Sequence, residues 1–199
     1  MGWAGRSAEK HSQLPSQSRE SGYEMLLGVR EGKEEARMPI SLRGSIEQLS
    51  DPENLDSSVK EVLSMMLGTG AERRDEPIKG PAEGSVSAVV GFGGLLSGAC
   101  ILRASDESAR SLAACMTGME FEEVDETVQD GIGELCNMLA GSWKSKIPEL
   151  AAHCGLSVPA VITGRHYNLH VQEPAFELRH TYGFGQTSFE VLIVCDGVK

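Results

Sequence analysis

The chain has 199 residues, 40% of them hydrophobic, and a net charge of −11 at pH 7. That length is enough for one well-buried domain, and the acidity excludes nucleic-acid phosphate and anionic membrane surfaces as main partners, because both select clustered Lys and Arg. No run approaches the roughly 20 apolar residues of a spanning helix, and the N-terminus is polar where a secretory signal has its apolar stretch; the expectation is a cytoplasmic protein whose partner is another protein or a small molecule.

Residues 1–40 are dominated by Ser, Gln, Glu, Arg and Gly without sustained periodicity, which predicts a disordered or loosely attached extension, with Met25 and Met38 as alternative starts. The domain is expected over 41–199. From Leu55 to Leu67 the apolar positions Val59, Val62, Leu63 and Met66 form a helical stripe that stops at Gly68. Ala71 to Gly84 carries mixed charges with Pro77 and Pro81 and reads as an exposed loop. Ser85 to Ala104 is rich in Val, Leu and Ile, and Gly91-Phe92-Gly93-Gly94 divides it into two strands of a hairpin. Ser105, followed by Asp106 and Glu107, predicts a capped helix that ends at Gly118, with its acids at the positive end. A long helix from about Asp125 to Lys146 follows, which Pro148 helps to end. The remainder gives strands over Val158–Thr163, His166–Val171, Phe176–Tyr182 and Ser188–Cys195.

These elements predict an α+β fold of two layers, with helices packed on one antiparallel sheet. Two echoes within the chain suggest a duplicated helix-plus-hairpin unit related by a pseudo-twofold. Gly183-Phe184-Gly185 repeats Gly91-Phe92-Gly93, and Glu61-x-x-Ser64 in the first helix repeats Glu134-x-x-Asn137 in the long one.

The long helix carries the chemistry. At about 100° per residue, Asp130, Glu134, Asn137 and Gly141 fall within roughly 60° of one another, whereas Val128, Ile132, Leu135 and Leu139 cluster on the opposite side. One face suits a core and the other a partner. Trp143 belongs to the apolar side, and Met65, Met66 and Met116 read as packing. Cys100, Cys115, Cys136, Cys154 and Cys195 form no C-x-x-C pair and lie mostly in apolar segments, as reduced, buried thiols do. His166 and His170 have the spacing of helical metal ligands but fall in a strand-like segment with no evident third ligand, so no metal is expected on this chain. The glycine groups lack the lysine of a phosphate-binding loop, and no nucleophile elbow is present.

Asp130, Glu134 and Asn137, followed by Pro159 after twenty-one residues, resemble the signature of the CheC, CheX and FliY family of bacterial chemotaxis phosphatases, most closely CheX. The family spacing before its proline is longer by one residue, which a single loop deletion accounts for. The resemblance runs from about Leu55 to the C-terminus. It implies hydrolysis of the aspartyl phosphate on a response-regulator receiver such as CheY, with Asn137 positioning the water, Glu134 pairing with the receiver's lysine, and the magnesium supplied by the receiver. Asp130 and Gly141 are expected beside them as partner contacts, Gly141 by admitting a close backbone. Glu61 and Ser64 would be a vestigial second site, because a hydroxyl cannot present the donor and acceptor pair of a carboxamide. Lys144 and Lys146 are read as favourable charges at a helix C-terminus. The family also implies a homodimer through edge strands. Rival readings are a non-catalytic receiver-binding or motility module of the same fold, and a small-molecule enzyme, which would need a deep apolar pocket.

Overall fold

The computed structural model describes residues 48–75, 84–165, 167 and 174–198, with the side chains of 197 and 198 left aside. The extension expected over 1–40 and the histidines His166 and His170 lie outside the described residues.

Helix α1 spans Pro52–Leu67. Asp51 caps it by accepting from the Glu53 N–H at 3.0 Å, Pro52 sits at its first turn, where no intrahelical donor is needed, and it buries Leu55, Val59, Val62 and Leu63. Gly68 ends it in the left-handed region at φ 65°, as Gly118 ends the later helix α2 (Asp106–Thr117) at φ 73°. Ser105 caps α2 through the Ser108 N–H, as its order in the sequence implied. Helix α3 occupies Glu126–Ser145, with Asp125 accepting from the Val128 N–H at 2.9 Å.

The sheet is antiparallel throughout. It comprises β1 (Glu72–Arg74), β2 (Ser85–Gly94), β3 (Leu96–Ser105), β4 (Cys154–Leu156), β5 (Ala160–Gly164), β6 (Phe176–Phe184) and β7 (Thr187–Val198). Their order is β1-β6-β7-β3-β2, with β4 and β5 both on the outer edge of β2. Hairpins β2–β3 and β6–β7 therefore meet at a central β3–β7 seam, Leu102 opposite Val191, with one short edge strand beyond β6 and two beyond β2.

Three short elements were absent from the sequence reading. β1 lies in the segment read as a loop: its residues Glu-Arg-Arg are all exposed and give no alternation, and pairing with β6 alone makes it a strand. A one-and-a-half-turn helix α4, Pro148–His153, begins at the proline that was expected to end α3, and β4 follows it directly.

The helices bury their apolar faces on one side of the sheet, against Val86, Ala88, Val90 and Phe92 of β2 and Cys100, Leu102 and Ala104 of β3. Trp143 is fully buried there, its ring 5.3 Å from that of Phe92. At the other end of α1, Asp56 accepts from the Tyr182 hydroxyl at 2.7 Å, contacts His180 Nδ1 at 3.1 Å and pairs with Arg73 at 3.3 Å. Burial, then the hydrogen bond to Asp56, raises the Tyr182 phenol far above its ordinary range, so it stays a donor and ties α1 to β6. All five cysteines are free, four of them buried; Cys115 on α2 is the exposed exception to the expectation. Burial pushes the Cys195 thiol up to about 12, which leaves it inert.

Candidate functional site

Helix α3 presents to solvent the stripe that its sequence spacing predicts. Its inner positions Val128, Ile132, Leu135, Cys136, Leu139 and Trp143 are buried, which fixes the roll of the helix. Asp130 and Glu134 are consequently exposed, and Asn137, one turn beyond Glu134, is half-buried. Among the described residues neither the Glu134 nor the Asn137 side chain makes a hydrogen bond or an ion pair, so both are uncommitted.

Two walls bound this stripe. On one side stand α1 and α2: a Cβ at Gly131 would meet Ala113 and Met116, and farther along, Ser142 and Lys146 reach Glu61 of α1. On the other side the chain from Leu156 to Val161 runs antiparallel to α3. A Cβ at Gly133 would sit 3.4 Å from Pro159 and 3.3 Å from Val161, and one at Gly141 would sit 3.9 Å from Leu156. Gly133, Asn137 and Gly141 occupy successive turns of one stripe, so Asn137 lies in the gap between the proline and the leucine.

Gly141, expected as a partner contact, lies beside Leu156. A Cβ there would meet the protein's own Leu156 only at ordinary contact distance, so the protein's own packing does not require glycine at this position. Gly133, which the sequence reading passed over, admits Pro159 more tightly. The signal was present: Gly, Asn and Gly at four-residue intervals mark a helix groove with one polar residue in it.

The matching residues on α1 are disposed differently. Glu61 and Ser64 are both exposed, but Glu61 is held by the Lys146 ammonium and accepts from Ser142 Oγ at 3.4 Å. The hydrogen bond from Lys146 is the main cause of a Glu61 carboxyl below its usual range. Because this lowered carboxyl stabilises the fold in its ionised form, its contribution is present at neutral pH and disappears as acid protonates it. Glu61→Gln is expected to cost under about 1 kcal/mol at pH 7, since the pair is solvent-exposed, and the difference from wild type should shrink as urea titrations are taken to acid pH.

The two lysines near the motif are likewise engaged. Lys144 Nζ donates to the carbonyls of Leu150, Ala151 and Cys154 at 3.5, 3.2 and 2.8 Å, and so closes the end of α4, while Lys146 is tied to Glu61. Charge at a helix C-terminus was the expected role, and for Lys144 the helix served is α4. Among the described residues no group of three or more His, Cys, Asp or Glu is arranged to hold a metal ion, and no helix is long and apolar enough to cross a membrane.

A carboxamide and a carboxylate one turn apart, without side-chain partners among the described residues and rimmed by apolar side chains, can orient a water and pair with a cation. Comparisons with known proteins identify the family. The family profile described as chemotaxis phosphatase CheX matches residues 86–179. The CheY-P phosphatase CheX of Thermotoga maritima is 32% identical over 132 residues, which cover 66% of this chain and 78% of that protein. Among solved structures, the chemotaxis protein CheX of Vibrio vulnificus superposes with a TM-score of 0.62 at 20% identity, covering 72% of this chain and 95% of the other. The CheX of the CheX–CheY–BeF3–Mg complex from Borrelia burgdorferi gives 0.61 at 21% identity, covering 73% and 97%. These likenesses show the fold, helices on an antiparallel sheet. With the profile match and the Thermotoga relative, they lead to one conclusion: the chain belongs to the chemotaxis phosphatase CheX family.

Proposed function

We propose that this protein hydrolyses the aspartyl phosphate of a CheY-like receiver domain, with Asn137 orienting the attacking water and Glu134 docking on a receiver cation. The observation that carries the reading is the contrast between the two helices. Among the described residues the Glu134 and Asn137 side chains are uncommitted, whereas Glu61 is consumed by Lys146 and Ser142. Asp130, exposed one turn before Glu134, extends the same contact surface.

The chemistry asks little of this chain. An acyl phosphate already has a good leaving group, and what its hydrolysis lacks is a water held in line with phosphorus. The Asn137 carboxamide offers one donor and one acceptor to a single water, and the rim of Pro159 and Leu156 restricts where that water can sit. No covalent intermediate forms on this protein and no side chain need change protonation state. The relative from Borrelia was captured with CheY, BeF3 and magnesium, in keeping with a metal that arrives with the receiver. On this reading the protein works in the cytoplasm beside its receiver.

A homodimer through an edge strand belongs to the same reading. β5 forms an outer edge of the sheet, and its Ile162 is 38% exposed.

The test is direct. A receiver from the same organism, phosphorylated with a small-molecule donor and freed of excess donor, should lose its phosphate faster when this protein is added in catalytic amounts. Stable binding with an unchanged phosphate lifetime would instead favour the non-catalytic module.

A further inference from the structure

We propose that Val158 is a specificity-determining contact for the receiver, an apolar anchor held beside Asn137 by a bulge in the edge of the sheet. Val158 is 84% exposed, more than any other large hydrophobic side chain among the described residues. The sequence placed it inside a strand beginning at 158, but β5 begins at Ala160.

The cause is a mismatch in pairing along β2. Phe92 pairs with Leu156 in β4, and Val89 pairs with Ala160 in β5. Val90 and Gly91 therefore face three residues, Ser157, Val158 and Pro159. This extra residue is a β-bulge, a device that breaks the ladder and re-aims a side chain. Ser157 pins it: its N–H donates to Gly91 O at 2.9 Å, its Oγ accepts from the Gly91 N–H at 2.9 Å, and the hydroxyl donates to Val158 O at 2.9 Å. With Ser157 turned toward β2, Leu156 laid against Gly141 and Pro159 against Gly133, the side chain between them has no interior to enter and stands in solvent. The segment is antiparallel to α3, so its midpoint is level with Asn137.

This contact suits the receiver better than a second copy of the chain. Strand addition needs an unbroken row of backbone donors and acceptors, and the bulge interrupts the edge at Val158. A chain of charge −11 must also hold an acidic phosphorylated pocket, and Lys144 and Lys146 are spent on internal bonds. Burial of an uncharged side chain gives affinity that this repulsion does not oppose. The complement on the receiver is an apolar side chain, or the aliphatic stem of a long one, at the rim of the phosphorylated pocket.

The inference rests on the phosphatase reading, and its test separates the two. Decay of the phosphorylated receiver is followed against receiver concentration for wild type, Val158→Ile and Val158→Asp, alongside sedimentation velocity of each. The expected result is a KM raised about tenfold or more by Val158→Asp, a kcat within about twofold, wild-type behaviour for Val158→Ile, and an unchanged sedimentation coefficient. An active wild type with Val158→Asp indifferent in KM overturns the anchor alone, as does a Val158→Asp variant that changes oligomeric state. A wild type that accelerates no decay overturns the phosphatase reading and the anchor with it.

Discussion

Asn137→Ala is expected to lower kcat for receiver dephosphorylation by about a hundredfold or more, equivalent to ~2.7 kcal/mol of barrier, while receiver affinity stays within about twofold. The asymmetry follows from what each group does. On the proposed mechanism Asn137 acts on the water, which matters in the transition state, whereas Glu134 and the surrounding surface act on the bound partner in both states. Asn137→Asp should be equally inactive. It keeps an acceptor but loses the donor and sets a negative charge beside a phosphoryl group. Folding is a clean control, because Asn137 is half-buried with no internal hydrogen bond among the described residues. Its replacement by Ala should change urea-unfolding stability by no more than about 0.5 kcal/mol. A variant that retains wild-type kcat would show that the water is placed by some other group.

Trp143→Ala is expected to cost about 3–5 kcal/mol in urea unfolding, a large fraction of the total stability of a domain this size. Trp143 is fully buried at the C-terminal half of α3 and packs on Phe92, whose strand also carries the Gly91 that holds Ser157. Removal of the indole opens a cavity between the motif helix and the strand that sets its neighbouring wall. Activity should therefore fall even under conditions where the variant is fully folded, because Asn137 and the wall beside it lose a common support. Trp143→Phe should cost less than about 2 kcal/mol. It keeps an aromatic contact to Phe92 and removes an indole N–H that finds no hydrogen-bond partner among the described residues. Equal losses for Ala and Phe would show that the site depends on the indole itself and not on filled volume.

The elements that could be read in the sequence are those whose local signals and tertiary roles coincide. Ser105 caps its helix, Gly68 and Gly118 stop theirs, and the apolar faces of α1 and α3 are the faces that are buried. The candidate site was legible for the same reason: the periodicity that buries Ile132, Leu135 and Leu139 must expose Glu134 and Asn137. Other elements are decided by a distant partner. β1 is a strand because Tyr182 and Gly183 offer it an edge, and α4 exists because Lys144 reaches the carbonyls at its end. Neither leaves a pattern within its own few residues. The bulge was invisible because it is a difference between two registers, and Ser157 reads as an ordinary loop serine until Gly91 is known to face it.

The ion pair between Glu61 and Lys146 has an evolutionary consequence. If α1 once carried a working counterpart of the α3 centre, its glutamate has since been recruited as a brace between helices, and exchanging Ser64 for asparagine would not free it. Recovery would demand that Lys146 be given up first, weakening the brace before any gain could be selected. On that reading the brace closes the return path, and the chain would be channelled toward a single centre.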